Sequence, residues 1–243
     1  RHTRLRTVTG VQTCALPIWL QQLVVTQHDG PHRIGIFDET SDPKKGVKTP
    51  GVQKQWCGRL GKTENCMVTV HLAFAQEDFH CLLDGELYLP ESWAEDRERC
   101  REAGIPDSMT YRPKWQIALE LFDRACDNGM SFDWLTFDEG YGSKPELLRQ
   151  LMQRGQKFVA EVPKSLTGWL EPPRVTTRSY RRGGRGRGRA VPRLAAGSPK
   201  AKRVEKWLND PTVRAQPWQR FRVKDGENGP VVWECKKVFL TIK

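Results

Sequence analysis

Twice in this chain an apolar run ends in an acidic pair. Ile34-Gly35-Ile36-Phe37 leads into Asp38-Glu39, and far downstream Trp134-Leu135-Thr136-Phe137 leads into Asp138-Glu139. Short apolar runs bounded by turn signals suit buried strands, so each acid is expected at a strand end. Between them, "CMVTVHLAFA" alternates strictly, with Cys66, Val68, Val70, Leu72 and Phe74 on one face. That period of two predicts a half-buried strand. Gln76-Glu77-Asp78 turns it back into "FHCLLDGELYLP", an antiparallel partner in which Asp84-Gly85 marks a bulge or turn. The Gly- and Lys-rich stretch from Gly46 to Asn65 reads as a long turn.

Helix signals follow. Ser92 and Glu95 have the spacing of a capping box, and Gly104 stops the segment after them. Trp115, Ala118, Leu119, Phe122, Ala125 and Cys126 share one helical face, closed by Asn128-Gly129. Ser143 and Glu146 suggest a second capping box, and "KFVAEVP" a last clear strand. The order is three strands, helices, strand, helix, strand. Hairpins first and right-handed crossovers later predict a mixed α/β sheet, antiparallel and then parallel. In such a sheet the first and fourth strands lie parallel at the centre, which would bring Asp38 and Asp138 together.

Two carboxylates held close repel unless one is protonated or a cation bridges them. Mg²⁺ takes oxygen ligands, and paired ions assist phosphoryl transfer at both the attacking and the leaving oxygen. The plainer reading is turn chemistry, because Asp caps backbone amides after a strand. The residues alone leave both open.

Charge narrows the partners. The formal net charge is +11, which favours an anionic partner and says nothing of fold. Eight arginines and no acid lie between Arg174 and Arg193. Within them "RGGRGRGR" lacks the strand and helix of a phosphate-binding glycine loop. Arg181, Arg182, Arg185 and Arg187 are therefore expected to form a basic arm on DNA. Lys44 and Lys45, after the first acid, are further candidates for phosphate contact. Trp169, Trp207, Trp218 and Trp233 are expected mainly in core packing. No apolar run approaches the roughly 18 to 20 residues of a membrane span. Seven cysteines without a C-x-x-C pair suit reduced thiols rather than a disulfide frame or zinc site.

Several ordered blocks carry a resemblance. "FDETSDPKKG", "GVQKQWCGRLGKTENCMVTVHLAF", "LYLPESWAEDRERCREAGIP" and "FDEGYGSKPELLRQLMQRGQKFVAEVP" resemble consecutive blocks of the DDE transposases of bacterial insertion sequences. The resemblance implies a ribonuclease-H-like core whose Asp-Asp-Glu triad binds two Mg²⁺ (or Mn²⁺) ions. By it, Asp38 is the first acid and Asp138 the second, both catalytic and metal-binding. Asp38 is preferred to Glu39 because it leads its block and because adjacent strand residues face opposite ways. The family's glutamate lies on a helix after a β-rich insertion, so the chain is expected to stop inside that insertion. Neither Glu205 nor Glu234 sits in the glutamate block.

The resemblance further implies cleavage and transfer of DNA strands at insertion-sequence ends, with terminal inverted repeats and target DNA as partners. It also implies a homodimer in the full-length assembly and a cytoplasmic, nucleoid-associated location. The fragment is expected to be inactive alone. The expected organisation is a partial catalytic core at 19–165, a basic Pro/Gly/Arg-rich loop at 166–203 and a truncated β-rich insertion at 204–243. Residues 1–18 resemble translated sequencing adapter, standing where DNA-binding helices would be, and are expected to be unstructured. Two other readings compete: a basic nucleic-acid-binding protein with structural acids, and a phosphotransferase with a strand-end Asp nucleophile. The second needs another aspartate that Asp38-Glu39-Thr40 does not supply.

Overall fold

A computed structural model describes residues 10–180, 189–227 and 229–242. The chain divides into two compact units, residues 1–162 and 163–243. The first unit is built on a six-stranded sheet. Its strands are β1 (Ile34–Pro43), β2 (Gln53–Cys57), β3 (Lys62–Gln76), β4 (Phe79–Leu87), β5 (Trp134–Phe137) and β6 (Phe158–Ala160). β3 pairs antiparallel with β1 along one edge, and with β2 and then β4 along the other. β1 pairs parallel with β5, and β5 parallel with β6. This is the mixed, ribonuclease-H-like arrangement expected, with β1 at its centre.

The alternation in β3 organises the core. Val68, Val70, Leu72 and Phe74 are fully buried on one face. Against them lies α4 (Lys114–Asp127), burying Ile117, Ala118, Leu121 and Phe122, and α6 (Pro145–Gln153), burying Leu147 and Leu151. Each such Leu, Ile or Phe stabilises the fold by roughly 1.5–3 kcal/mol relative to exposure. The expected helical face on α4 is present, with Trp115 and Cys126 at its partly buried margin. The β3–β4 turn falls at Glu77-Asp78. The bulge comes one residue early: Ala73 pairs with Leu82 and Leu72 with Asp84, leaving Leu83 as the extra residue.

Four local expectations are corrected. The stretch read as a long turn contains β2, a strand missed because four of its five residues are polar or exposed. Ser92 does not cap a helix; it lies inside α2 (Glu91–Glu95) and donates to Gln53 Oε1 at 2.9 Å. The cap is Asp96, which accepts from Arg99 N and starts α3 (Arg97–Glu102). Likewise Ser143 closes α5 (Glu139–Gly142), and Lys144 precedes α6 with Pro145 at its first turn. Finally, Gly10–Gln27 forms helix α1, which takes in part of the segment expected to be unstructured. Its C-terminal half is held by packing: Val24 joins the core, and buried Gln21 accepts from Asn128 Nδ2 at 2.7 Å. Residues 1–9 lie outside the described residues.

The second unit is also more regular than expected. β7 (Thr167–Trp169) pairs with β10 (Lys202–Arg203) and β13 (Thr241–Ile242). β8 (Val175–Tyr180) and β9 (Arg189–Leu194) form an antiparallel pair where a loop was expected. β11 (Gln219–Gly226) and β12 (Gly229–Cys235) form an antiparallel hairpin. Two short helices, α7 (Val204–Trp207) and α8 (Pro211–Arg214), complete it. Trp169 and Trp207 are buried there and donate to the carbonyls of Pro199 and Gly168. Trp218 and Trp233, expected in the core, are more than half exposed.

Candidate active site

The parallel register of β1 and β5 sets the site. Ile34 pairs with Trp134 and Phe37 with Phe137, whose rings stack at 5.7 Å. The next residue on each strand is an aspartate, Asp38 and Asp138. Neighbouring strands lie about 4.8 Å apart, so the two acids leave adjacent backbones. β5 ends there because Asp138 turns the chain into α5, its carboxylate accepting from Tyr141 N at 3.4 Å. β1 continues past Asp38, whose Oδ1 accepts from Glu39 N at 2.7 Å.

Strand alternation then separates Asp38 from Glu39. Asp38 is exposed and stands opposite His71 of β3. Glu39 faces the α4 side, where Lys114 Nζ pairs with it at 2.6 Å and also lies 5.3 Å over the Tyr88 ring. Glu39 is therefore neutralised locally, whereas Asp38 and Asp138 have no ion pair among the described residues. A cleft of about 360 Å³ is lined by Glu39 and Asp138, with Tyr88, Tyr111, Lys114, Tyr141 and Lys144 among others. Asp38 stands outside that lining. Burial pushes the Tyr88 phenol up to about 12, with Tyr111 and Glu39 adding to the shift.

Tyr141 connects the acids. Its ring packs 6.1 Å from Phe37 and 6.5 Å from Phe137. Its hydroxyl is buried and has no hydrogen-bond partner among the described residues. Burial raises its pKa strongly, and Glu39, Asp138 and Asp38 each add to the rise. All three carboxylates therefore act with burial to keep this phenol protonated. His71 is the second residue missed. Its Nε2 lies 2.7 Å from Thr69 Oγ1, its buried Nδ1 has no partner among the described residues, and its ring occupies space left by Gly85. A Cβ on Gly85 would fall 2.5 Å from Nδ1.

Gly142 has a separate reason to be glycine. A Cβ there would lie 1.9 Å from the Glu161 carbonyl oxygen, so only glycine lets α5 pass the end of β6. The other sequence candidates are placed as follows. Lys44 pairs with Asp42, Lys45 is exposed, and both follow β1 directly. Glu205 and Glu234, in the second unit, pair with Arg203 and Arg220. Arg181, Arg182, Arg185 and Arg187 lie outside the described residues.

Carboxylates are ligands for hard cations; here two exposed ones leave adjacent strands, Asp38 within β1 and Asp138 at the end of β5, neither in an ion pair among the described residues. Among the described residues, no group of three or more His, Cys, Asp or Glu is arranged to hold a metal. No described helix is long and apolar enough to cross a membrane.

Comparison with known proteins agrees with the blocks read in the sequence. The pattern of the family described as DDE superfamily endonuclease matches residues 14–230. A curated relative from Microchaete diplosiphon, described as "probable transposase for insertion sequence element IS701", is 37% identical over 123 residues. That match spans 50% of this chain and 29% of the relative.

Proposed function

The chain belongs to the DDE superfamily endonucleases, and from that premise we propose that its first unit is the catalytic core of a transposase acting on insertion-sequence ends. The observation that carries this reading is the register that puts Asp38 and Asp138 one position beyond the Phe37–Phe137 pair. Asp38 and Asp138 are the residues that would hold Mg²⁺ or Mn²⁺. When bound, such an ion polarises a phosphoryl oxygen and lowers the pKa of attacking water.

The chain's own groups do the rest. Glu39, held by Lys114, keeps a further negative charge beside the cleft without occupying the cation's place. Tyr141 fixes the turn after Asp138 and closes the apolar floor against Phe37 and Phe137. Lys44, Lys45 and the arginines of the 181–187 segment supply phosphate contacts that position DNA, a sequence-independent role. The partners of this reading are terminal inverted repeats and target DNA, engaged as a homodimer in a nucleoid-associated assembly.

Two carboxylates ligate one ion well, and a two-ion clamp calls on further oxygens. The 243-residue chain is therefore expected to bind a divalent ion and DNA without rapid nicking of supercoiled plasmid. Robust Mg²⁺-dependent nicking, abolished by Glu205→Gln or Glu234→Gln, would overturn this and place a third acid in the second unit. A second reading, a basic DNA-binding protein with structural acids, draws on the capping role of Asp138. Divalent-ion binding that depends on both aspartates separates the two.

A further inference from the structure

We propose that the two-stranded ribbon formed by β2 and the start of β3 is a docking surface for the phosphate backbone of duplex DNA. The inference rests on the DNA reading above and extends it from Lys44 and Lys45 to the ribbon, which that reading does not contain. From Pro43 to Thr63 the chain carries six basic residues (Lys44, Lys45, Lys48, Lys54, Arg59, Lys62) and no acid. The ribbon pairs Gln53 with Cys66 and Cys57 with Lys62. Alternation turns Gln53, Gln55 and Cys57 inward and leaves Lys54 and Trp56 outward, Trp56 with 56% of its surface exposed. Arg59, Leu60 and Lys62 are exposed at the turn.

The ribbon is fixed relative to the acids. Arg59 N donates to Ser41 Oγ at 3.2 Å, and the Arg59 guanidinium reaches Asp42 at 3.4 Å. Asn65 donates from Nδ2 to the Lys44 carbonyl at 2.7 Å and accepts Lys44 N on its own carbonyl at 2.9 Å. These bonds tie both the ribbon's turn and its base to the end of β1. Ser41 lies three residues past Asp38, about 10 Å along a strand, or about three base steps of a duplex. A basic surface at that offset holds the duplex flanking a phosphate placed at the acids.

The pairing of the charges is compatible with this use. Lys45, Lys48 and Lys54 have no ion pair among the described residues. The Arg59–Asp42 and Lys62–Glu64 pairs are well exposed, and exposed pairs exchange readily for a phosphate. Trp56 adds an apolar surface between the cations. A solvated charge run would not require its aromatic ring to stand in water among them.

The test compares the full chain with Lys54→Ala/Arg59→Ala/Lys62→Ala in fluorescence anisotropy on a labelled duplex of arbitrary sequence across a salt series. Losing three contacts makes the slope of log affinity against log salt shallower by about 2.7, at about 0.9 per phosphate. Lys200→Ala/Lys206→Ala/Lys224→Ala, an equal loss of charge from exposed positions in the second unit, should leave the slope unchanged. The single variant Lys54→Ala should lower it by about 0.9. An unchanged slope in the ribbon variants, with wild type binding duplex normally, overturns the ribbon and leaves the DNA reading intact. Wild type that binds phosphatidylserine vesicles but no duplex overturns both.

Discussion

Phe37 and Phe137 are partners across two parallel strands, and the residue after each is an aspartate. Their rings stack 5.7 Å apart and fix the register in which the two aspartates leave adjacent backbones. On the proposed reading, two like charges carried on neighbouring strands favour the uptake of a cation.

Tyr141→Phe tests how the buried hydroxyl is tolerated. That hydroxyl has no hydrogen-bond partner among the described residues, and an unsatisfied buried polar group costs about 1–3 kcal/mol. The variant should be as stable as wild type or up to about 1 kcal/mol more stable in urea denaturation. A loss of more than about 1.5 kcal/mol would mean that the hydroxyl has a partner in solution.

Gly142→Ala should be severely destabilising. The added Cβ meets a backbone oxygen rather than a flexible side chain, so α5 or β6 must shift. The cost should be about 3 kcal/mol, at the upper end for overpacking. Ser143→Ala, next in the chain but exposed to a lesser constraint, serves as the comparison. Equal stability of the two would show that α5 does not approach β6 closely.

His71 gives stability a pH dependence with a defined sign. Burial lowers its pKa below 6.5, against the opposing pull of Asp38 and Asp84. The unfolded chain therefore binds more protons below that value, and stability falls as pH drops through the window beneath 6.5. His71→Gln should flatten that part of the profile, followed by urea midpoints at successive pH values. An identical slope in the variant would remove His71 from the account.

The arginine-rich segment between β8 and β9 should add its own salt-sensitive affinity. Replacing Arg181, Arg182, Arg185 and Arg187 with Ala should make the salt slope shallower by up to about 3.6, at about 0.9 per contact. A slope like that of wild type would make the segment a connector and leave DNA binding to the first unit.

Legibility in the sequence followed the strength of the burial signal. β1, β3, β4 and β5 were readable because Val68, Val70, Leu72 and Phe74 alternate and because "IGIF" and "WLTF" are short apolar runs. β2 was not, since only Cys57 of its five residues is buried. The capping boxes failed because Asp96 and Pro145 start helices more effectively than Ser92 and Ser143. At the site, both acids stood out by following an apolar run, but only Asp138 ends its strand as expected; β1 runs on to Pro43. The Glu39–Lys114 pair did not, because it joins β1 to a helix distant in the chain. The same holds for His71, whose relation to Asp38 exists only through the β1–β3 register.

The central claim is that Asp38 and Asp138 together hold a divalent ion, and calorimetric titration with Mn²⁺ tests it most directly. Asp138→Asn keeps the helix cap, because Asn caps as well as Asp, and should leave the metal-free fold as stable or slightly more so. Asp38→Asn and Asp138→Asn should each weaken Mn²⁺ binding at least tenfold, about 1.4 kcal/mol. Glu39→Gln, which alters the carboxylate already paired with Lys114, should change it little. Equal Mn²⁺ affinity in wild type and both aspartate variants, or a loss confined to Glu39→Gln, would contradict the assignment.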